Sequence, residues 1–339
     1  AQELKRGDWL AVPKRRGLPP VDLSDEQLHA LGFWLAEGHI QKAKDGEGRG
    51  LGLTNTDEAL LERVAAVFRA WFPLHTKRVG GNRETPYRLE EVACTEWRQS
   101  RMRPLSTRPV HSWALASTHA AAYVAQHCGV GASTKVLSQS LFRRSGLLPL
   151  IAGYIDGDGG QRKGQQEDVW LSTTSEVLAW QFRQILLDNG VWCTLAPLSR
   201  KVPRETKNGR RPHYTCWVLT IKGGYIGLLP TSKVHVPAVR GCVRVTEDVS
   251  YFYPPVRSVE RIPYDGPVHD LTTGDNHSFV AGGVGVHNSH DDALFGFGGA
   301  LLMSDEPGAQ SVGESEPHKP LVARYHESNS RARVGGTRW

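Results

Sequence analysis

Residues 30–38 (ALGFWLAEG) and residues 151–159 (IAGYIDGDG) decide the fold of this chain. The two stretches keep the same small and acidic residues at the same spacing. The matching pairs, each 121 positions apart, are Gly32 with Gly153, Ala36 with Gly157, Glu37 with Asp158, and Gly38 with Gly159. The chain therefore contains an internal duplication, and this repeat constrains how every other segment is assigned.

The first stretch lies in a predicted amphipathic helix. Ser24 and Gln27 have the spacing of a capping box, and leucines follow at helical period. In both stretches, small residues recur at i and i+4, which places them on one helix face and allows two backbones to approach closely. If the two helices pack side by side, Glu37 and Asp158 emerge together at one end of the pair.

The duplication continues downstream. Residues 53–68 (LTNTDEALLERVAAVF) resemble residues 171–186 (LSTTSEVLAWQFRQIL) at an offset of 118, so a loop has changed length by three residues. An apolar stripe at i, i+4, i+7 and i+8 is predicted to bury each second helix against its own sheet. Its members are Leu60, Val64, Val67 and Phe68 in the first repeat, and Leu178, Phe182, Ile185 and Leu186 in the second.

Composition limits the class of protein. The 339 residues are too many for one ordinary domain, and the net charge of +6 suits a nucleic-acid partner without requiring one. Five cysteines lie far apart with no C-x-x-C pair, which argues against a disulfide framework or a zinc knuckle and favours a reducing compartment. With no membrane-length apolar run and no signal peptide, we expect a soluble, cytoplasmic protein without a membrane partner.

Polar and basic stretches follow the motif helices in both repeats. Such stretches are often the solvated face of a hairpin, but their repetition around a pseudo-twofold axis favours a curved basic surface that follows a DNA groove. Gln41 and Gln161, just beyond the two motifs, are either contacts to phosphate or water, or ordinary loop residues. The candidate DNA-binding residues are Gln41, Lys42, Lys77, Arg78, Gln161, Arg162, Lys163, Arg200, Lys201, Arg204, Lys207, Arg210 and Arg211.

The paired motifs resemble those of the LAGLIDADG homing endonucleases, in the two-motif, single-chain form found inside inteins. The second motif keeps the G-x-x-x-G-D-G core, whereas the first has Glu37 where aspartate is usual. The resemblance implies an α+β fold with pseudo-twofold symmetry, in which two helix–strands–helix repeats form a saddle of antiparallel sheets. It also implies a monomer that cuts a long, intein-less site in double-stranded DNA.

Hydrolysis of a phosphodiester at such a site uses metal ions, and Mg²⁺ prefers carboxylate and phosphate oxygens. Glu37 and Asp158 are the predicted ligands, each serving one strand, and the alternative is that they only cap surface turns. The resemblance also makes Lys135, before the second motif, a candidate basic group near the site.

Residues 268–289 (VHDLTTGDNHSFVAGGVGVHNS) resemble the C-terminal splicing blocks of inteins. In that chemistry, the side-chain amide of Asn288 attacks its own carbonyl and breaks the chain, with His287 assisting. Ser289 is the hydroxyl nucleophile, and Asp270 and His277 tune proton transfer. Taken singly, each of these histidines would pass for a packed strand residue.

The two ends of the chain extend this resemblance. Residues 1–13 resemble the end of an intein's N-terminal splicing half, but the first Cys or Ser and the upstream T-x-x-H are absent, so we expect a truncated element that lacks its N-terminal partner segment. After Ser289, HDDALFGFGGALL resembles the last metal-binding segment of phage terminase large subunits, and the Gly, Pro, Ser and Glu-rich tail is predicted to be disordered.

These resemblances predict four domains or segments along the chain. Residues 24–235 are the endonuclease, with repeats 24–125 and 126–235. Residues 1–20 are the end of the N-terminal splicing half, residues 245–288 are the β-rich, Hint-type C-terminal splicing half, and residues 289–339 belong to the host protein. Two alternatives stay open. One is a non-cleaving LAGLIDADG nucleic-acid binder of the RNA maturase or regulator type. The retention of two acids, which we expect to be buried, argues against this alternative. The other is a splicing remnant with a decayed endonuclease.

Overall fold

The computed structural model describes residues 4–42, 48–81, 86, 88–102, 107–162, 168–198, 205–206, 209–210, 215–231, 245–259, 278–281 and 283–287. The chain divides into two compact units, with boundaries at residues 16/17 and 242/243. Of the described residues, 4–16 and those from 245 to 287 belong to the smaller unit, and those from 17 to 231 belong to the larger one. The predicted host-protein segment, 289–339, lies outside the described residues.

Helices and strands alternate along the described chain. The α-helices are α1 (Asp25–Glu37), α2 (Glu58–Trp71), α3 (Thr118–Cys128), α4 (Gln139–Phe142), α5 (Leu148–Asp158) and α6 (Glu176–Asp188), and a 3-10 helix spans Gly223–Leu228. The strands of the first repeat are β2 (Gly38–Lys42), β3 (Gly48–Asn55), β4 (Leu74–Val79), β5 (Arg88–Ala93), β6 (Thr95–Met102) and β7 (Pro109–Ala116), after β1 (Val12–Pro13). Those of the second repeat are β8 (Gly160–Arg162), β9 (Asp168–Thr173), β10 (Cys193–Leu198), β11 (Glu205–Thr206), β12 (Gly209–Arg210) and β13 (Cys216–Lys222), and the remainder are β14 (Thr246–Glu247), β15 (Tyr251–Tyr253), β16 (Ser278–Ala281) and β17 (Val284–His287).

The predicted duplication is confirmed by the topology of the larger unit. The first repeat has a four-stranded sheet in the order β2-β3-β7-β6, and the second has one in the order β8-β9-β13-β10. Every ladder in both sheets is antiparallel. Each repeat therefore runs as motif helix, hairpin, second helix and returning strands. The hairpin β4–β5 lengthens the first repeat between α2 and β6.

The helix starts follow from local hydrogen bonding. The predicted capping box at α1 is present, since Gln27 N donates to Ser24 Oγ and Ser24 N donates to Gln27 Oε1. Asp57 caps α2 and Ser175 caps α6, and these two residues are 118 positions apart, as in the sequence repeat. The offset of 118 thus relates two residues that both cap the start of the second helix in their repeat.

The predicted apolar stripes form the core of the larger unit. The side chains of α6 named for this role, Leu178, Phe182, Ile185 and Leu186, are buried against β9, β10 and β13. On α2, Leu60, Val64 and Phe68 are buried, whereas Val67 is partly buried at the edge of the core. Each second helix therefore covers its own sheet, as predicted.

The two motif helices pack side by side through their small residues. A Cβ on Gly32 would overlap the carbonyl oxygen of Leu150, and a Cβ on Gly153 would overlap that of His29. A Cβ on Gly157 would lie 2.6 Å from the Cβ of Ala36. Gly32 and Gly153 contact residues in the first half of the partner helix, whereas Gly157 contacts Ala36 and Glu37 near the end of α1, so α1 and α5 are parallel and end at the same side.

The smaller unit contains the three-stranded sheet β1-β15-β14 and the hairpin β16–β17. Lys14 is buried there: its ammonium donates to Glu247 Oε2 at 2.6 Å and lies over the ring of Phe252. Gly285 N donates to Ala11 O at 2.7 Å, which ties the β17 hairpin to the N-terminal segment. Among the described residues of the whole chain, no helix is long and apolar enough to span a membrane.

Candidate active site

Glu37 and Asp158 are the last residues of the two parallel motif helices. The position that a Cβ on Gly157 would occupy is 3.2 Å from Glu37 Cγ, so the Glu37 side chain lies directly against the end of α5. The structure thus brings the two predicted ligands to one place. The expectation that both acids are buried was wrong, because Glu37 is half-buried and Asp158 is exposed.

The electrostatics of this place favour a cation. The C-terminus of a helix carries the negative end of its dipole, so a carboxylate there is unfavourable by about 0.3–1 kcal/mol unless positive charge is near. Two helix C-termini and two carboxylates converge at this point. Their oxygens suit Mg²⁺, which keeps several of its own waters and uses one or two protein carboxylates. Among the described residues, no group of three or more His, Cys, Asp or Glu side chains is placed to hold a metal ion, at this point or at any other.

Lys135 neutralises part of this negative potential by capping α1. Its buried ammonium donates to the carbonyl oxygens of Trp34 at 3.3 Å, Leu35 at 2.7 Å and Gly38 at 3.0 Å, and lies over the Trp34 ring. These carbonyls are at the end of α1, where Gly38 N donates to Trp34 O and the helix offers few further N–H donors. Burial lowers the pKa of Lys135 to about 8, an effect partly offset by Cys128 and then by the negative charges of Asp158 and Glu37.

The backbone of Lys135 is held by the second repeat. Ser175 Oγ donates to Lys135 O at 2.6 Å, and the buried side chain of Gln181 both accepts from Leu137 N and donates to Leu137 O. A residue fixed on the second repeat therefore supports the helix that carries Glu37 in the first. Sequence analysis placed Lys135 near the site and did not foresee this bridging arrangement.

Asn55, at the end of β3, contacts Glu37 directly. Its Nδ2 donates to Glu37 Oε1 at 3.1 Å, and its Oδ1 accepts from Asp57 N at 2.9 Å. The sequence repeat aligns Asn55 with Thr173, whose hydroxyl accepts from Ser175 N at 3.1 Å. Both residues thus fix the turn into the next helix, and only the asparagine carries a second polar atom that reaches the carboxylate.

The outer face of the first sheet presents a row of side chains on β6. Glu96 and Arg98 point toward α2, where they form ion pairs with Arg69 and Glu62. Because side chains alternate along a strand, Trp97, Gln99 and Arg101 lie on the opposite face. Trp97 is 54% exposed. Sequence analysis missed this row, which the alternation of polar and basic residues in TEWRQSRM could have indicated.

The predicted DNA-binding residues lie in several places. Lys77 and Arg78 are exposed on β4, but Lys77 faces Glu90 across the hairpin, so acidic side chains partly balance this basic stretch. Gln41 and Gln161 are partly buried on β2 and β8, the strands that leave the two motifs. Lys42, Arg162 and Arg210 lie on strands, and the others, Lys163, Arg200, Lys201, Arg204, Lys207 and Arg211, fall outside the described residues.

Of the predicted splicing residues, His287 is the last residue of β17, in a hairpin whose register pairs it with Ser278. Asp270, His277, Asn288 and Ser289 lie outside the described residues. The structure therefore describes the strand that leads to the predicted junction, and the roles of these five residues stay predictions.

Comparison with known proteins gives relatives of two kinds. The chain is 27% identical over 302 residues to an iron-sulfur cluster assembly SufBD family protein from Mycobacterium tuberculosis, covering 85% of this chain and 30% of that protein. It is 26% identical over 282 residues to the ATP-dependent DNA helicase Hel308 from Thermococcus kodakarensis, covering 79% of this chain and 22% of that protein. The chain thus spans less than a third of the length of these curated relatives.

Among solved structures, the homing endonuclease I-WcaI bound to its DNA recognition sequence matches with a TM-score of 0.37 and 13% identity, over 60% of this chain and 77% of that one. The family model described as LAGLIDADG-like domain matches residues 147–214, which begin just before α5 and include Asp158. The match to the LAGLIDADG-like domain model therefore lies in the second repeat of this chain.

Proposed function

We propose that this chain is a metal-dependent, site-specific endonuclease that cuts both strands of double-stranded DNA. The observation that carries this proposal is the convergence of Glu37 and Asp158 at the ends of two parallel, glycine-packed helices at the centre of a duplicated unit. The LAGLIDADG-like domain on residues 147–214 supports it independently.

In the proposed cleavage, different residues of the chain would bind the metal and the DNA. Bound Mg²⁺ would activate water and stabilise charge on the leaving oxygen. Glu37 and Asp158 would hold it, one near each strand, because the pseudo-twofold relation of the repeats matches the antiparallel strands of a duplex. The outer face of the first sheet, with Trp97, Gln99 and Arg101, and its counterpart in the second repeat would bind the DNA, largely through phosphates.

The test is cleavage of a plasmid that carries the host gene without the proposed insertion, which in this chain ends at Asn288. In Mg²⁺ we expect one defined double-strand cut, and we expect the same gene with the insertion in place to resist. Binding without any cut would favour the alternative of a non-cleaving nucleic-acid binder. If the chain neither binds nor cuts the plasmid, the alternative of a decayed endonuclease is favoured.

We also propose that the smaller unit belongs to a protein-splicing element that cleaves after Asn288. Two relatives with different names, an iron-sulfur assembly protein and a DNA helicase, match most of this chain with less than a third of their own length. A segment shared between proteins of such different activity is what a mobile insertion leaves behind. The smaller unit is also built from both ends of the chain, with residues 17–242 between them, which suits an endonuclease carried within a splicing domain.

A further inference from the structure

The two carboxylates of the site differ in their surroundings although their helices are related by the repeat. Glu37 is half-buried and accepts a hydrogen bond from Asn55, whereas Asp158 is exposed. At the acidic position, the first motif also has a side chain that is one methylene longer, glutamate in place of aspartate. These differences occur together at aligned positions, where Glu37 and Asn55 correspond to Asp158 and Thr173.

The chemistry of Asn55 explains why an asparagine matters here. Its carbonyl oxygen is used by Asp57 N in the turn before α2, and its amide nitrogen remains to donate to Glu37. At the aligned position, the single hydroxyl of Thr173 already accepts from Ser175 N and also hydrogen-bonds the Tyr154 side chain. An amide has separate donor and acceptor atoms, so Asn55 fixes the turn through Oδ1 and reaches the carboxylate through Nδ2.

We propose that Asn55 is a positioning residue that orients the Glu37 carboxylate for metal binding, and that Glu37 and Asp158 are therefore non-equivalent metal ligands. The amide donates to Oε1 and fixes the rotamer of a long side chain, so the carboxylate meets the metal in one orientation. Partners that orient a ligating side chain typically change metal affinity by about 10–100-fold when removed. This inference rests on the proposed function, because it takes the two carboxylates to be metal ligands.

The experiment measures binding of Mn²⁺ alone to the full chain, from the loss of the free Mn²⁺ signal in electron paramagnetic resonance. Asp158→Asn isolates the Glu37 site, and Glu37→Gln isolates the Asp158 site. In the Asp158→Asn background, we expect Asn55→Thr, which restores the residue of the second repeat and keeps an acceptor for Asp57 N, to raise the Mn²⁺ Kd about tenfold. In the Glu37→Gln background, the same change should leave the Kd within twofold.

Thr54→Val is the matched control, since Thr54 is next in the strand and faces Ser112 instead of Glu37. It should leave the Kd unchanged in both backgrounds, and circular dichroism melts of every variant report whether the fold is retained. An equal effect of Asn55→Thr in the two backgrounds, or none in either, overturns the positioning role while leaving the proposed function intact. If the unmutated chain binds no more Mn²⁺ than the Glu37→Gln/Asp158→Asn double variant, both the positioning role and the metal site of the proposed function are wrong.

Discussion

Gly153 on α5 packs directly against the main chain of His29 on α1, so that a single added methyl group would overlap the His29 carbonyl oxygen. Gly32 is placed in the same way against Leu150 on the other helix. The two contacts are reciprocal, which is the relation expected of a duplicated unit. They set the distance between the helices and, through it, the separation of Glu37 and Asp158.

We therefore expect Gly153→Ala to lower the free energy of unfolding by about 3 kcal/mol, because the backbone of His29 cannot move aside as a flexible side chain would. Gly224→Ala is the control, since a Cβ there has no atom within 4 Å. Urea unfolding of both variants gives the comparison. A Gly153→Ala variant as stable as Gly224→Ala would contradict the tight packing.

The carboxylates themselves provide the second prediction. Glu37→Gln and Asp158→Asn keep the size of each side chain and remove its charge, so each should reduce double-strand cleavage at least about 100-fold, while DNA binding stays within a few-fold. Because each acid is proposed to serve one strand, each single variant should accumulate nicked plasmid. Double-strand cutting by the double variant at the unmutated rate would rule out this role.

Sequence reasoning identified the parts of this site that depend on short-range pattern. Small residues at i and i+4 predicted the close helix pair, and apolar stripes predicted the burial of α2 and α6, because helical periodicity fixes which side chains share a face. The convergence of Glu37 and Asp158 followed from the same repeat. All of these properties are decided within a few turns of chain.

The supporting contacts of the site could not be predicted in this way. Lys135 donates to backbone carbonyls about 100 positions away. Because every residue has a backbone carbonyl, residue types do not indicate which carbonyls accept these hydrogen bonds. The offset of 121 even pairs Lys135 with Lys14, and both lysines are buried. Yet Lys14 donates to Glu247 in the smaller unit, so the same spacing serves a different contact. Only three-dimensional packing distinguishes the two.

The outer face of β6 provides the third prediction, on DNA binding. Arg101→Ala should weaken binding and reduce the slope of log K against log salt by about 1, because it removes one phosphate contact and its released counterion. Arg98→Ala is the matched control on the same strand, since Arg98 points to α2 and pairs with Glu62. Equal salt slopes for both variants would show that this face of the sheet does not meet DNA.

Lys135 gives a pH dependence of stability. The pKa of Lys135 in the folded chain is about 8, lowered by burial, whereas the pKa of an unfolded lysine is about 10.4. Between these values the unfolded state binds more protons, so the free energy of unfolding contributed by Lys135 rises with pH, by at most about 3 kcal/mol across the window. Below pH 8 the contribution no longer changes.

The measurement is the difference in unfolding free energy between the unmutated chain and Lys135→Met, taken in EDTA from pH 7 to pH 10.5. Subtraction removes the titration of the groups whose pKa does not depend on Lys135. The unmutated chain should gain stability relative to the variant above pH 8. A difference that is flat over the range, or that falls, would mean that Lys135 keeps an ordinary pKa despite its burial.

The final prediction concerns the junction after β17. We expect slow cleavage between Asn288 and Ser289, because cyclisation of asparagine needs only its own side chain, an oriented backbone and a proton donor, the role proposed for His287. The hydrogen bond from Gly285 N to Ala11 O holds the strand that leads to the junction, so the local backbone is supported by residues of this chain. Incubation near neutral pH should release a fragment that begins at Ser289, and mass spectrometry identifies it. Asn288→Ala should stop the release, whereas His287→Ala should slow it. If the unmutated chain yields no such fragment even after an N-terminal splicing segment is supplied in trans, the prediction that Asn288 cleaves the chain is wrong.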